Sequence, residues 1–126
     1  MQLSKVFYPC GEIFIPSFYR IPRPLFFHPE LLTLSNDAKL LYSLLLDRLS
    51  LSVKNEWFDL TGQIYVYFTI NEVQSSLNCS RPKAVSLLSE LERSEMIKRK
   101  THGQGKPDRI YVRILPDMYA EPPKAV

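Results

Sequence analysis

The stretch SSLNCSRPKAVSLLSELER, from Ser75 to Arg93, places Arg81 and Lys83 on either side of Pro82 where a helix should begin. Ser80 is a good N-cap, and proline fits a first helical turn because its missing amide hydrogen costs little there. Two cations fit badly, since the helix dipole already leaves its N-terminus partly positive. An anionic partner resolves the conflict. The same terminus favours a phosphate, and Arg or Lys beside it can reach phosphate oxygens or guanine acceptors. Between Ser80 and Arg113 the chain holds nine Lys or Arg against four Asp or Glu, whereas the remainder holds seven against nine. Net charge is only +3, but its concentration in one region is the footprint of a phosphate-binding surface. Charge alone is equally compatible with a solvated basic face.

Other chemistries find little support. GQGK, ending at Lys106, lacks the remaining glycine spacing and the following Ser or Thr of a nucleotide-binding P-loop, and Pro107 comes next. His28 sits among prolines and aromatics, where it suits packing or capping. His102 lies close to the basic cluster and could touch a phosphate. Cys10 and Cys79 are too few and too far apart for a disulfide framework or a metal site. Cys79 is better read as a small apolar residue than as a nucleophile. No Ser-His-Asp or Cys-His pairing is visible, so the reading is a non-enzyme with no cofactor and no metal. No run approaches 18 apolar residues, and the N-terminus has no basic segment followed by an apolar core. A reduced, cytoplasmic setting with no membrane partner is expected.

The elements that must position these residues follow from periodicity. The 126 residues, 45% apolar and 23% charged, suit one globular domain with a modest core. Residues 1–34 carry many prolines and aromatics and read as a β-hairpin or extended arm, with Phe26 and Phe27 in the core and a helical turn at Pro29 to Leu32. Ser35 to Val53 is the clearest helix, burying Ala38, Leu41, Leu45 and Leu49, leaving Lys39, Asp47 and Arg48 to water and ending at Asn55. WFDLTGQIYVYFT reads as a hairpin turning at Thr61-Gly62. Thr69 and Glu72 form a capping-box pattern ahead of a short helix, Ile70 to Leu77. Asn78 and Cys79 make the turn, and the helix from Ser80 to Arg93 buries Ala84, Leu87, Leu88 and Leu91. EMIKRK and DRIYVRIL then read as two strands linked by THGQGKPD. Residues 116–126 read as an extended or disordered tail.

Two helices joined by a tight turn and followed by a hairpin make an α+β winged helix-turn-helix, here spanning 35–115. Its second helix, 80–93, would enter a major groove, and its wing, 97–114, would meet the backbone or minor groove. In that arrangement Arg81, Lys83 and Ser86 read bases while Ser80 holds a phosphate. Lys100, His102, Lys106 and Arg109 grip the backbone from the wing. A winged helix used as a protein-interaction module is the rival from another class, and a transcriptional repressor is the rival within DNA binding.

The segments FYRIPRPLF, LSNDAKLLYSLLLDRLSLSVKNEWFDLTGQIYVYFT and LNCSRPKAVSLLSELERSEMIKRKTHGQGKPDRIYV resemble the N-terminal domain of RepA_N-type plasmid replication initiators. The resemblance covers Phe18 to Val112. It implies a winged-helix domain that binds repeated double-stranded DNA sites at a plasmid or mobile-element origin, with 80–93 as reading helix and 97–114 as wing. It implies a homodimer, for which Phe7, Tyr8, Ile13, Phe14 and Ile15 would form a contact surface unless they pack on their own domain. It also implies host replication proteins as partners of a further C-terminal domain, which this sequence does not contain.

Overall fold

The computed structural model describes residues 17–101 and 103–118. Three helices carry the fold: α1 (Asn36–Lys54), α2 (Ile70–Leu77) and α3 (Arg81–Arg93), followed by an antiparallel hairpin of β1 (Ile97–Lys100) and β2 (Arg109–Val112). That is the winged-helix order expected from the sequence. The aromatic arm Phe7 to Ile15 lies outside the described residues. None of the described helices is long and apolar enough to cross a membrane.

α1 starts where Ser35 presents its hydroxyl oxygen to the Ala38 amide at 3.1 Å. Ala38, Leu41, Tyr42 and Leu45 form its buried stripe, and they meet Ala84, Leu87, Leu88 and Leu91 of α3 in one core. Leu25, Leu31 and Leu34 close that core from the N-terminal side, and Met96, Ile97, Ile110 and Leu115 close it from the hairpin. Short 3-10 turns at Arg23–Phe26 and Pro29–Leu31 deliver the leucines inward. The tight turn points Pro24 and Leu25 into the core and leaves Phe26 and Phe27 on the surface, at 58% and 63% exposure. The expectation that both phenylalanines are core is therefore corrected. Lys39, expected in water, is only 8% exposed, with its ammonium 5.0 Å from the centre of the Phe26 ring. Its long stem lies along apolar surface while its charge meets the ring face.

Both long helices end alike. Glu56 (φ 57°) follows α1 and Glu95 (φ 60°) follows α3, each in the left-handed region. The Trp57 amide donates to the Ser52 carbonyl and the Glu56 amide to that of Val53; Met96 donates to Leu91 and Glu95 to Glu92. These paired bonds satisfy carbonyls that the helix leaves open, and they fold Met96 back onto the core.

The expected hairpin at WFDLTGQIYVYFT is reduced to a single bridge, Phe58 to Ile64. Asp59 holds that turn, its carboxylate accepting from the Thr61 amide and hydroxyl and from the Gln63 amide at 2.7–2.9 Å. The strand character of the segment serves the wing instead. Val66 exchanges both backbone hydrogen bonds with Ile110 at 2.9 Å, adding a third rung beside β2. Beyond β2 the chain does not simply trail away: Pro116–Met118 forms a 3-10 turn, and Met118 packs on the core. The buried Tyr42 hydroxyl donates to the Arg113 carbonyl beside it, and burial raises its pKa. The rest of the expected tail, 119–126, lies outside the described residues.

Candidate nucleic-acid interface

α2 is set in place before α3 can be. Thr69 accepts from the Glu72 amide at 3.1 Å while Glu72 accepts from the Thr69 amide at 3.2 Å, closing the capping box read from the sequence. Arg48 of α1 donates to the same Glu72 carboxylate at 2.8 Å and to the Tyr67 carbonyl at 3.0 Å. Burial works to raise the Glu72 pKa, but the Arg48 and Thr69 hydrogen bonds outweigh it and hold the carboxyl below its usual range. Asn78 (φ 52°) then turns the chain, its amide donating to the Gln74 carbonyl.

α3 follows with Ser80 as N-cap, its hydroxyl oxygen 3.3 Å from the Lys83 amide. Glu90, on the same helix, accepts from the Ser35 amide at 2.7 Å and from the Ser35 hydroxyl at 2.8 Å. α3 is thereby tied to the start of α1. With Ala84, Leu87, Leu88 and Leu91 buried, Ser80, Arg81, Lys83 and Ser86 are left exposed at its outer end.

Between this end and the hairpin lies a cleft of about 340 Å³. Arg81 lines it from α3, Thr69 and Asn71 from the start of α2, and Arg99, Lys106, Pro107 and Asp108 from the hairpin. Among the described residues no ion pair reaches Arg81 or Lys106. Arg99 is paired with Glu92 at 2.6 Å, a contact that, with its hydrogen bond, lowers the Glu92 pKa. Lys83 is paired with Asp37, in the first turn of α1, at 3.1 Å.

The hairpin distributes its cations over two faces. Arg99 stands opposite Ile110 on the cleft side. Lys98 and Lys100 stand opposite Tyr111 and Arg109, and Lys98, Lys100 and Tyr111 line a second groove on the far side with Leu49 and Gly62. The Arg109 guanidinium lies over the Tyr65 ring, 4.4 Å from its centre, and bonds to Tyr67 and Tyr111. Tyr111 in turn donates to Asp59 at 2.9 Å. Of the residues expected to form the surface, the structure thus brings Arg81 and Lys106 together, with Ser80 and Ser86 on the same end of α3. Lys83 is there too but occupied, Lys100 and Arg109 face the other side, and His102 lies outside the described residues. Sequence reasoning did not select Thr69 or Asn71, and it treated Arg99 only as part of the basic run Lys98 to Lys100, one phosphate-contacting group. Strand alternation, with Ile97 and Ile110 inward, was the signal that could have separated Arg99 from Lys100.

The same fold occurs in solved structures. One described as the N-terminal domain of a DNA binding protein is 34% identical, with a TM-score of 0.69 over 81% of this chain and 79% of that one. A Rep-DNA complex is 32% identical, TM-score 0.68, covering 81% of each chain. An MDR initiator is 36% identical, TM-score 0.65, covering 80% of this chain and 82% of that one. A curated relative, the 41 kDa protein of Lactobacillus helveticus, is 31% identical over 111 residues. The match takes in 83% of this chain but only 31% of that protein's length. The family model for the N-terminus of replication initiator protein A matches residues 17–122, a span that takes in every described residue, and the chain belongs to that RepA_N family.

Proposed function

We propose that this chain is the sequence-specific, double-stranded DNA-binding domain of a replication initiator, acting on repeated origin sites as a homodimer and without catalysis of its own. The observation that carries the reading is the pairing of Arg81 with Lys106 across one cleft, both exposed and neither engaged by a described carboxylate. Arg81 projects from a helix N-terminus, where a base edge or phosphate would be met first. Lys106 sits in the hairpin turn, where a backbone phosphate suits a point charge. Ser80 and Ser86 offer hydroxyls on the same end of α3, and Thr69 and Asn71 offer polar groups from α2. Recruitment of host replication proteins belongs, in this reading, to sequence outside this chain.

The test is equilibrium binding to duplexes selected from a random pool, over a salt series. Log affinity should fall against log salt with a slope near −0.9 per phosphate neutralised. Arg81→Ala should relax base preference, at a cost of about 1–3 kcal/mol on the selected site and less on others. Lys106→Ala should weaken all duplexes alike and make the slope shallower by about one. A uniform loss from both would contradict these roles, and no binding at micromolar protein and low salt would favour the protein-interaction reading.

A further inference from the structure

The cations nearest the cleft are not equally available. Lys83 is two residues from Arg81, in the first turn of α3, but its ammonium is held at 3.1 Å by Asp37. Both side chains are about half exposed, at 46% and 54%. The contact therefore lies on the surface rim and not in the core. Asp37 is fixed there by the helix junction. It sits two residues after Ser35, which Glu90 of α3 grips through amide and hydroxyl. α1 thus presents a carboxylate to the one lysine of the recognition helix, beside a junction tied by the Ser35–Glu90 hydrogen bonds.

Resting on the DNA-binding reading, we propose that Asp37 is an affinity-limiting residue that competes with DNA for Lys83 and so weakens binding to every duplex by a similar factor. A carboxylate and a phosphate compete for the same ammonium. When any duplex approaches, Lys83 must leave Asp37 to reach it, and the exposed carboxylate then faces the negative backbone. Every sequence bears that cost. An exposed ion pair of this kind is a modest restraint, small enough for an approaching duplex to break.

The experiment is fluorescence anisotropy with wild type, Asp37→Asn, Lys83→Gln and the double variant, against random duplex and the duplex selected by wild type. Asp37→Asn should tighten random-duplex binding about two- to fivefold, the range of one exposed ion pair. It should tighten the selected duplex by a similar factor, leaving the specificity ratio unchanged, because wild type breaks the pair on both. On the Lys83→Gln background the gain should vanish. An equal gain on that background would show a general charge effect and overturn the proposal, as would no gain at all. If wild type binds no duplex, the DNA-binding reading fails and takes this inference with it; if wild type binds and Asp37→Asn leaves random-duplex affinity unchanged, this inference fails alone. Circular dichroism melts of each variant separate loss of fold from loss of binding.

Discussion

Arg81 and Lys83 share one helical turn yet differ in what surrounds them: one opens on the cleft, the other is held by Asp37. The charge cluster was legible from residue counts, because like charges gathered in one quarter of a chain need no coordinates to be noticed. Which cations are free was not, because Asp37 and the Tyr65 ring come from elements distant in sequence, and Glu92 meets Arg99 only once the chain has turned from α3 into β1. Arg109 shows this best. It reads as a wing contact, but its guanidinium is stacked on Tyr65 within a network that ends at Asp59. That network has its own pH signature. Hydrogen bonds from the Thr61 side chain, the Gln63 and Thr61 amides and the Tyr111 hydroxyl lower the Asp59 pKa from 3.8 to about 2. A depressed carboxyl stabilises the fold above its unfolded pKa, and the contribution is lost as pH falls through the folded value. Glu72 and Glu92 shift in the same direction. Thermal melts should therefore show the midpoint dropping between about pH 4 and pH 2. Asp59→Asn should melt lower than wild type at pH 7 and show a shallower drop in acid; an unchanged acid profile would remove Asp59 from that role.

At the scale of elements, helix starts were readable and helix ends were less so. Ser35, Thr69 and Ser80 cap in the structure as their residue types suggest, since each hydroxyl reaches an amide in its own first turn. Asn78 also takes the left-handed conformation expected of it. Glu56 and Glu95 gave no such signal, because the left-handed position that closes a helix is more often occupied by glycine. Their conformation is imposed by the following residues, with Met96 drawn into the core. Relieving the side-chain clash should outweigh the added freedom of the unfolded chain. Glu95→Gly is expected to stabilise the domain by about 0.5–1 kcal/mol, read as a higher urea midpoint with an unchanged slope. A lower midpoint would mean that the Glu95 side chain contributes more than its backbone costs. The strand segment Ile64 to Phe68 was recognisable by composition, but its pairing was not. A run of β-branched and aromatic residues reports a fit to a sheet without naming the neighbour, and Ile110 supplies that neighbour across 44 positions of sequence for Val66.

Across the whole molecule, the winged-helix order was legible because helix, turn, helix and hairpin are consecutive and each carries its own local signal. The contribution of residues 17–34 was not. Leu25, Leu31 and Leu34 enter the shared core through irregular turns that leave no period to read. The result is a scaffold in which α1 anchors both halves of the motif. Arg48 reaches the start of α2 through Glu72, and Ser35 receives Glu90 of α3. The hairpin is fixed by Val66 on one side and by the core on the other. The two faces of that hairpin then make different demands on a partner. The Arg81 and Lys106 side is the one assigned to DNA, and the Lys98 and Lys100 side lies behind it. Amide chemical-shift mapping of the labelled domain, titrated with its selected duplex, tests that assignment most directly. The largest changes are expected at Thr69 to Asn71, Ser80 to Ser86 and Gly103 to Asp108, with Leu49, Gly62 and Lys98 little affected. Changes concentrated at Leu49, Gly62 and Lys98, with Arg81 and Lys106 silent, would contradict it.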